Sequence, residues 1–248
     1  MSKIVVLGAG ISGHTAAAHL RRKLSKEHEV LVVSPNRNYQ WVPSNIWVGI
    51  GRMKSKEVIF PLEPLYKRKG IGYKQAKAVS FHPEGDSSEA KPYILVEGVF
   101  GDNLGKQEKV TYDYLINATG PKLAFDMTEG LQPATNKVYS VCTYDHAEHA
   151  SEALHKLIDQ LKKSDKKAKI LIGTGHAKAT CQGAAFEYIL NVEKELQKFG
   201  VRDKAEITWI SNEYELGDFG MDGMLMEYNG FNMKSKDMVE MIFEDRDI

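Results

Sequence analysis

Residues 4–13 read Ile4-Val5-Val6-Leu7-Gly8-Ala9-Gly10-Ile11-Ser12-Gly13. The four apolar residues at the start predict a short strand of the kind that is buried in a parallel sheet. A Gly-x-Gly-x-x-Gly turn follows, and beyond it apolar residues recur at helical spacing, at Ala16, Ala17, Leu20 and Leu24. A glycine turn between a strand and a helix is the context in which this motif predicts dinucleotide binding. The alternative is a glycine turn that holds no ligand.

Each glycine of the turn has its own predicted role. Gly8 makes the tight turn, Gly10 lets a pyrophosphate approach the backbone, and Gly13 lets the helix pack close to the strand. The helix N-terminus then faces the phosphates. The predicted cofactor contacts in this turn are Gly8, Ala9, Gly10, Ile11, Ser12 and Gly13.

The second predicted strand, Val30 to Val33, ends at Ser34-Pro35. About 20 residues beyond the last glycine, an Asp or Glu is expected to bind the ribose hydroxyl. This chain has Ser34 instead, which can hydrogen-bond a ribose more weakly and without charge. Ser34 and Pro35 are therefore predicted cofactor contacts, but they do not choose between FAD and NAD.

Composition limits the classes of protein to which the chain can belong. It has 248 residues, of which 42% are apolar and 27% charged, and its formal net charge is zero. These values are ordinary for a globular protein of one large or two modest domains, and they give no reason to expect nucleic acid as a partner. No apolar run approaches the roughly 20 residues that span a bilayer, and no signal peptide is visible. We therefore expect an intracellular protein. We expect no structural metal, because the two cysteines and eight histidines lack the spacing of metal ligands.

Past residue 36 the prolines forbid long regular elements as far as about Pro64. Strands are predicted at 77–81, 93–96 and 114–118, and a helix at 143–163. The opening pattern then repeats, with an apolar strand at 169–172, a glycine turn, a helix at 179–199, a strand at 206–210 and a last helix at 235–243.

This repeat predicts the α/β class: a Rossmann-like FAD-binding domain, with a parallel sheet plus a small antiparallel sheet, followed by a second, incomplete Rossmann-like domain. The predicted boundaries are 1–120 for the first part of the FAD domain, 121–168 for a connecting segment and helix, and 169–248 for the second domain. The chain ends where another strand should begin, so we expect that it is the first part of a longer protein.

The segment Asn117-Ala118-Thr119-Gly120-Pro121 favours FAD as the nucleotide. It resembles the Ala-Thr-Gly signature of flavoprotein reductases with two dinucleotide-binding domains, where a strand end turns the chain back under the flavin nucleotide. Thr119 and Gly120 are therefore predicted cofactor contacts, since a side chain at Gly120 would collide with the cofactor or the turn. The second glycine turn carries Lys178 where the third glycine should be, which argues against NAD binding there.

Several segments together resemble the sulfide:quinone oxidoreductases, and the similarity runs over essentially the whole chain. These segments are Tyr39-Gln40-Trp41-Val42-Pro43-Ser44-Asn45, Trp47-Val48-Gly49-Ile50-Gly51, Tyr112-Asp113-Tyr114-Leu115-Ile116-Asn117-Ala118-Thr119-Gly120-Pro121-Lys122-Leu123-Ala124-Phe125 and Cys142-Thr143-Tyr144-Asp145-His146-Ala147-Glu148. The segments 112–125 and 142–148 are the most specific to this family. Ser44, Lys77 and Ala78 complete the predicted cofactor contacts.

The resemblance implies that sulfide is oxidised at cysteines next to a flavin, which passes two electrons to a membrane quinone. Cys181 would be one member of the redox pair, whose partner would lie beyond Ile248. Cys142 would be the additional cysteine near the flavin ring, which in some members is linked to it covalently. His146 and Glu187 match positions proposed to handle protons. A later histidine of the family is replaced here by Asp218, which puts that role in doubt.

The residues permit this chemistry on their own account. A thiolate is the nucleophile in thiol exchange, and the positive end of a helix favours it. Cys142 directly precedes Thr143, a plausible helix N-cap, and Cys181 lies near the start of the second long helix. The alternatives are that Cys181 and Cys142 are small core residues, and that His146 is only a solvated residue of the first turn.

The resulting hypothesis is oxidation of sulfide to sulfur or polysulfide, with FAD as carrier and quinone as acceptor. The resemblance also implies peripheral association with the cytoplasmic side of the cell membrane, through parts missing from this chain, and it leaves homo-oligomers open. We expect weak or absent turnover by this chain alone. The alternatives are a flavocytochrome sulfide dehydrogenase subunit, which should carry an export signal, a type II NADH dehydrogenase, which needs an intact second glycine turn, and a non-catalytic flavin-binding redox module.

Overall fold

The structure, a computed structural model, describes residues 1–132, 138–174, 176, 179 and 181–248. The chain forms two compact units, each built from two stretches of sequence. The first unit comprises residues 1–41 and 59–123, and the second comprises 42–58 and 124–248. The domain boundaries given above stay a prediction.

The secondary-structure elements are as follows, in chain order. The first part contains β1 (Lys3–Leu7), α1 (Ile11–Lys23), β2 (Glu29–Ser34), β3 (Asn38–Gln40), α2 (Asn45–Gly49), α3 (Ser55–Val58), β4 (Ile59–Pro61), α4 (Leu62–Lys69), β5 (Gly72–His82), β6 (Tyr93–Gly98), β7 (Gln107–Thr111) and β8 (Tyr114–Asn117). The second part contains α5 (Tyr144–Lys162), β9 (Ala168–Gly173), α6 (Gln182–Lys198), β10 (Ala205–Ile210), β11 (Leu225–Tyr228), β12 (Phe231–Lys234) and α7 (Ser235–Glu244). Short 3-10 turns lie at Val42–Ser44, Gly101–Asn103 and Arg202–Lys204.

The first unit is organised around a six-stranded sheet with the order β7-β6-β5-β2-β1-β8. The strands β8, β1, β2 and the first part of β5 run parallel, whereas β5, β6 and β7 pair as antiparallel neighbours. The eleven-residue strand β5 therefore belongs to both halves of the sheet. A small antiparallel pair, β3 with β4, completes the unit.

Alternation along the two central strands explains why this sheet is buried on both faces. One set of side chains packs with Ala17 of α1 and with Leu62 and Tyr66 of α4; it comprises Val6, Val30 and Val32. The other set packs with the antiparallel half of the sheet and comprises Val5, Leu7, Leu31 and Val33. Because both faces of β1 and β2 are buried, these strands must be apolar at successive positions, as the sequence predicted.

The second unit packs α5, α6 and α7 with the parallel pair β9–β10. The helix α2, from the stretch 42–58, packs against α5 and α6 in the same unit, and Ile50 just after it is part of that core. The antiparallel hairpin β11–β12 carries exposed apolar side chains at Leu225 and Phe231.

The predicted α/β class, with its parallel and antiparallel parts, is confirmed. Several elements were missed, among them the helix α4, the strand β7 and the hairpin β11–β12. The helix α4 forms despite Pro64, because this proline lies in its first turn, where a missing N–H group costs no helical hydrogen bond. The strand β7, Gln-Glu-Lys-Val-Thr, is mostly polar because it is an edge strand with one buried residue, Val110. The hairpin β11–β12 was missed although the sequence marks it, because Asn229-Gly230, both with positive φ, form its two-residue turn and Phe231-Asn232-Met233-Lys234 alternates apolar and polar residues. Among the described residues, no helix combines the length and apolar character needed to cross a membrane.

Candidate functional site

The glycine turn lies at the carboxyl edge of the parallel sheet, beside the ends of two neighbouring strands. The amide of Gly8 donates to the carbonyl of Val33 in β2 over 2.8 Å, and the amide of Ala118, just after β8, donates to Leu7 over 2.8 Å. The chain goes from β1 to β2 on one side and later returns with β8 on the other. This is a topological switch point, the place where open α/β sheets bind ligands.

Two of the glycines are required by the chain itself. Gly8 has φ +95°, and a Cβ built on it would lie 2.2 Å from the carbonyl oxygen of Ala118. A Cβ on Gly13 would lie 2.0 Å from the carbonyl oxygen of Gly8. Both contacts are with backbone atoms, which cannot rotate away. Gly8 and Gly13 therefore allow the turn to pack against β8 and the start of α1.

Gly10 is different, because no atom of the described residues comes within 4 Å of a Cβ built on it. Gly10 is the N-cap residue of α1, where it offers no side chain to the first-turn amides, and that turn has no acidic residue. Ile11 and Ser12 are exposed, whereas Ala9 is buried. An open, uncapped helix start fits a diphosphate, whose oxygens the amides can bind.

At the end of β2, Ser34 and Pro35 accept hydrogen bonds from nearby residues of the same unit. Ser34 is buried, and its hydroxyl oxygen accepts a 3.3 Å hydrogen bond from the amide of Asn36. Pro35 is exposed, and its carbonyl accepts from Nε2 of Gln75 over 3.3 Å. Ribose binding by Ser34 and Pro35 stays a prediction.

The Thr119-Gly120 turn follows β8. The hydroxyl of Thr119 donates to Oδ1 of Asn117 over 2.8 Å, and its amide bonds to the same oxygen over 3.2 Å. Gly120 has φ +71°, while no described atom lies within 4 Å of a Cβ built on it. The left-handed backbone is therefore the structural reason for glycine at this position.

The remaining predicted cofactor contacts lie elsewhere in the units. In β5, Nζ of Lys77 is 2.8 Å from a carboxylate oxygen of Glu97, and Ala78 directly precedes an irregularity in the pairing with β6. Ser44 belongs to the second unit, where it is the N-cap residue of α2. The roles of Lys77, Ala78 and Ser44 stay predictions.

Both cysteines belong to the second unit and both are exposed. Cys181 is the N-cap residue of α6. Cys142 directly precedes Thr143, the N-cap residue of α5, and its amide donates to Oγ of Ser140 over 3.1 Å. Their exposure contradicts the alternative in which they are core thiols, and both thiols lie where a small reagent could reach them.

The two predicted proton-handling residues differ in their surroundings. His146 lies in the first turn of α5, with its ring 5.1 Å from that of Phe125 in an edge-to-face contact. Its Nδ1 atom is buried and has no hydrogen-bond partner among the residues that the structure describes, so His146 is not a fully solvated side chain. Glu187 is exposed on α6. Proton transfer by either residue stays a prediction.

The loop that follows β10 holds two carboxylates that sequence reasoning did not connect. Oδ1 of Asp218 accepts hydrogen bonds from the amides of Met221 and Asp222 over 3.0 and 2.8 Å. Burial, and next the charge of Asp218, raise the pKa of Glu213, whose Oε1 atom is buried without a hydrogen-bond partner among the described residues. Asp218 thus binds the backbone of its own loop, whereas Glu213 is only partly buried there.

The second glycine turn is described only in part. A Cβ on Gly173 would lie 1.7 Å from the carbonyl oxygen of Ile210, so the parallel pair β9–β10 requires this glycine. The hydroxyl of Thr174 donates to Oδ1 of Asn212 over 3.2 Å. Gly175 and Lys178, on which the prediction about NAD depends, lie outside the described residues.

Sequence reasoning also missed how the stretch 42–58 is held. Gly49 in α2 lies against Val141 and Tyr188, and Arg52 forms an ion pair with the buried Glu195 of α6. The signal for the second contact was present, since Glu195 falls on the apolar side of a helix and a buried carboxylate requires a partner. Its partner, 143 residues earlier, could not be read from the pattern.

Comparison with known proteins agrees with this geometry. Residues 2–186 match the family model described as pyridine nucleotide-disulphide oxidoreductase. The chain is 29% identical over 245 residues to the sulfide-quinone reductase of Aquifex aeolicus, which covers 99% of this chain and 49% of that protein. The solved structure of the sulfide:quinone oxidoreductase of Aquifex aeolicus superposes with a TM-score of 0.77 at 28% identity, covering 100% of this chain and 50% of the other. A type II NADH:quinone oxidoreductase of Haemophilus influenzae is 28% identical over 176 residues, or 70% of this chain and 38% of that protein.

The chain thus spans about half the length of the relatives that it matches. The resemblance to sulfide:quinone oxidoreductases is confirmed, and so is FAD as the cofactor, whose diphosphate fits the open helix start at Gly10. A covalent bond through Cys142 stays a prediction. Given the match over residues 2–186 and a glycine turn at the switch point of a parallel sheet, the chain belongs to the pyridine nucleotide-disulphide oxidoreductase family.

Proposed function

We propose that this chain is part of a flavoprotein that oxidises sulfide to sulfur or polysulfide and transfers the electrons to a quinone. The observation that carries the proposal is the placement of both cysteines, each exposed and each at the N-terminal end of a long helix of the second unit. The similarity to sulfide-quinone reductase over 99% of the chain supports the choice of substrate.

Cys181 is the proposed site of sulfur exchange. Hydrosulfide attacks an oxidised sulfur at Cys181, held in a disulfide or a polysulfide chain, so that one S–S bond forms while another breaks and a thiolate leaves. The helix start at Cys181 favours the negative charge of such a thiolate. When bound, FAD supplies a two-electron acceptor that connects sulfur oxidation with quinone reduction.

Cys142 and His146 are proposed to act together at the start of α5. Cys142 contributes a second exposed thiol. The Nδ1 atom of His146 in the following turn, which is unpaired among the residues that the structure describes, can take or give a proton. Glu187 is a further proposed proton carrier, which its exposure on α6 permits.

Quinone as acceptor implies that the protein meets a membrane. The names of relatives that act on quinones support quinone as the acceptor, and we propose peripheral association with the cytoplasmic side of the cell membrane. Homo-oligomer formation remains compatible with this proposal.

NADH oxidation is the second candidate, which the similarity to type II NADH:quinone oxidoreductase favours. Two features count against it. Lys178 replaces the third glycine of the second turn. The carboxylate of Glu213, three residues beyond the end of β10, is where a ribose-binding acid is expected, yet its Oε1 atom is buried away from solvent.

The test is anaerobic reduction by sulfide of the FAD-loaded flavoprotein of which this chain is part, with and without polysulfide, followed through loss of the flavin's visible absorbance. We expect bleaching by sulfide, and a rate at least about 100-fold lower in Cys181→Ser, because removal of a covalent nucleophile abolishes its pathway. Dithionite must still bleach the variant, which shows that its flavin is bound and reducible. Bleaching by NADH but not by sulfide would replace the proposal with the second candidate, and equal rates in Cys181→Ser and the parent would refute the role of Cys181.

A further inference from the structure

We infer that Gly49 is a positioning residue that sets the spacing between the loop of Cys142 and helix α6, which begins at Cys181. The inference rests on the proposed function, in which both thiols act. It concerns contacts within the second unit, to which Gly49 and both cysteines belong.

Gly49 lies between the two cysteine-bearing segments. A Cβ built on it would lie 2.8 Å from Cγ1 of Val141 and 2.9 Å from Cε2 of Tyr188. Val141 directly precedes Cys142. Tyr188 follows Cys181 by seven residues, which is about two turns along α6 and close to the same face. One residue without a side chain is thus in contact with both segments.

Neither neighbour can easily move aside. Val141 is β-branched, so its χ1 angle is restricted. The Tyr188 ring is held by its own hydroxyl, which donates to the carbonyl of Gly49 over 3.1 Å, and burial raises the pKa of Tyr188. Contacts under 3 Å with such side chains must therefore shift the segments that carry them.

The stretch that carries Gly49 is itself anchored. Gly51, with φ +77°, packs on Ser151 and His155 of α5. Ile50 is buried in the core of the unit, and Arg52 is paired with Glu195 of α6. Because α2 is fixed at these points, an added methyl group at Gly49 displaces Val141 and Tyr188 rather than α2.

The test measures the alkylation rate of each cysteine by iodoacetamide across a pH series, using mass spectrometry to separate the peptides of Cys142 and Cys181. We expect Gly49→Ala to change both rate constants by about threefold or more, the size expected for coupled neighbours. Val141→Ala in the Gly49→Ala background removes both γ-methyl groups, including the crowding Cγ1, and should return the rate at Cys142 towards that of the parent. Tyr188→Phe, which only frees the ring from Gly49, should change the rate at Cys181 more than that at Cys142.

Gly72→Ala is the matched control, since a Cβ there would lie 3.0 Å from Cδ1 of Leu31 in the first unit. It should leave both rates within about twofold of the parent.

The inference is overturned if Gly49→Ala leaves both rates unchanged, if Gly72→Ala changes them equally, or if Val141→Ala gives no rescue. Should Gly49→Ala not fold, Tyr188→Phe decides, and unchanged rates in it overturn the inference. Alkylation needs neither sulfide nor FAD, so a failed sulfide assay beside a successful rescue would refute the proposed function alone.

Discussion

Gly8 and Gly10 stand two residues apart and are glycine for different reasons. Gly8 has a left-handed backbone and lies directly against the carbonyl of Ala118. Gly10 has open space where a Cβ would be, as judged from the described residues. The motif predicted glycine at both positions. Only the contact with Ala118, just after β8, shows that the fold requires Gly8, whereas Gly10 is available to a ligand.

This difference predicts opposite effects of one substitution. Gly8→Ala should lower the free energy of unfolding by about 2–4 kcal/mol, since the positive φ and the backbone clash are both unfavourable. Gly10→Ala should leave stability almost unchanged and weaken FAD binding by about tenfold or more, because its methyl group lies where the diphosphate approaches. Denaturant unfolding and FAD titration measure the two quantities. Normal FAD affinity in Gly10→Ala would argue against diphosphate binding at the glycine turn.

His14 on α1 is an aromatic neighbour of Tyr39, Phe60 and Tyr66, and its Nδ1 atom lies 3.2 Å from the Tyr66 hydroxyl. Burial, and secondly the charge of Lys69, lower the pKa of His14 from 6.5. The fold therefore favours the neutral ring, so its contribution to stability is complete above about pH 6.5 and is lost as the pH falls below that value.

We accordingly expect acid to destabilise the parent through His14. His14→Gln should unfold with a smaller loss of stability per pH unit below about pH 6.5, the difference being at most about 1.4 kcal/mol per unit. Urea unfolding at several pH values measures the slopes. The control is His19→Gln, which replaces an exposed histidine of the same helix. Equal slopes in parent and His14→Gln would contradict the expectation.

At the scale of elements, α6 carries two fully buried carboxylates only two residues apart, at Glu193 and Glu195. Glu193 is paired with Arg202 and Arg246, and Glu195 with Arg52 and Lys198. Buried charges are retained only where opposite charges compensate for lost hydration. These pairs attach the stretch 42–58 and the region after α6 to one helix.

Arg52→Met should lower the free energy of unfolding by about 2–4 kcal/mol, because, of the described residues, Glu195 would keep only the more distant Lys198 as a charged partner. The double variant Arg52→Met with Glu195→Met should recover much of that loss, since no buried charge is left unpaired. Lys169→Met, which breaks an exposed pair with Glu206, should cost no more than about 1 kcal/mol. Thermal or urea unfolding compares the three, and an equal cost for Arg52→Met and Lys169→Met would contradict the prediction.

At the scale of the whole molecule, FAD should act as a stabilising ligand. A ligand that binds only the folded state adds about 2.7 kcal/mol when its concentration is 100 times its dissociation constant. We expect added FAD to raise the unfolding midpoint in a concentration-dependent way. Riboflavin lacks the diphosphate and should give little or no shift. An unfolding midpoint that does not change with FAD, or that changes equally with riboflavin, would contradict diphosphate binding at the glycine turn.

The sequence alone determined the local units: the strand, glycine turn and helix at residues 3–23, the long helices α5 and α6, and the choice of FAD. The local units depend on neighbours within about 20 residues, so periodicity and turn chemistry reveal them. The choice of FAD came from the resemblance of residues 117–121 to a signature of flavoprotein reductases. Only the tertiary structure decided which residues separated by a hundred positions meet. Examples are Gly8 with Ala118, Gly49 with Tyr188 and Arg52 with Glu195, because such contacts follow from strand order and helix packing, which no local pattern encodes.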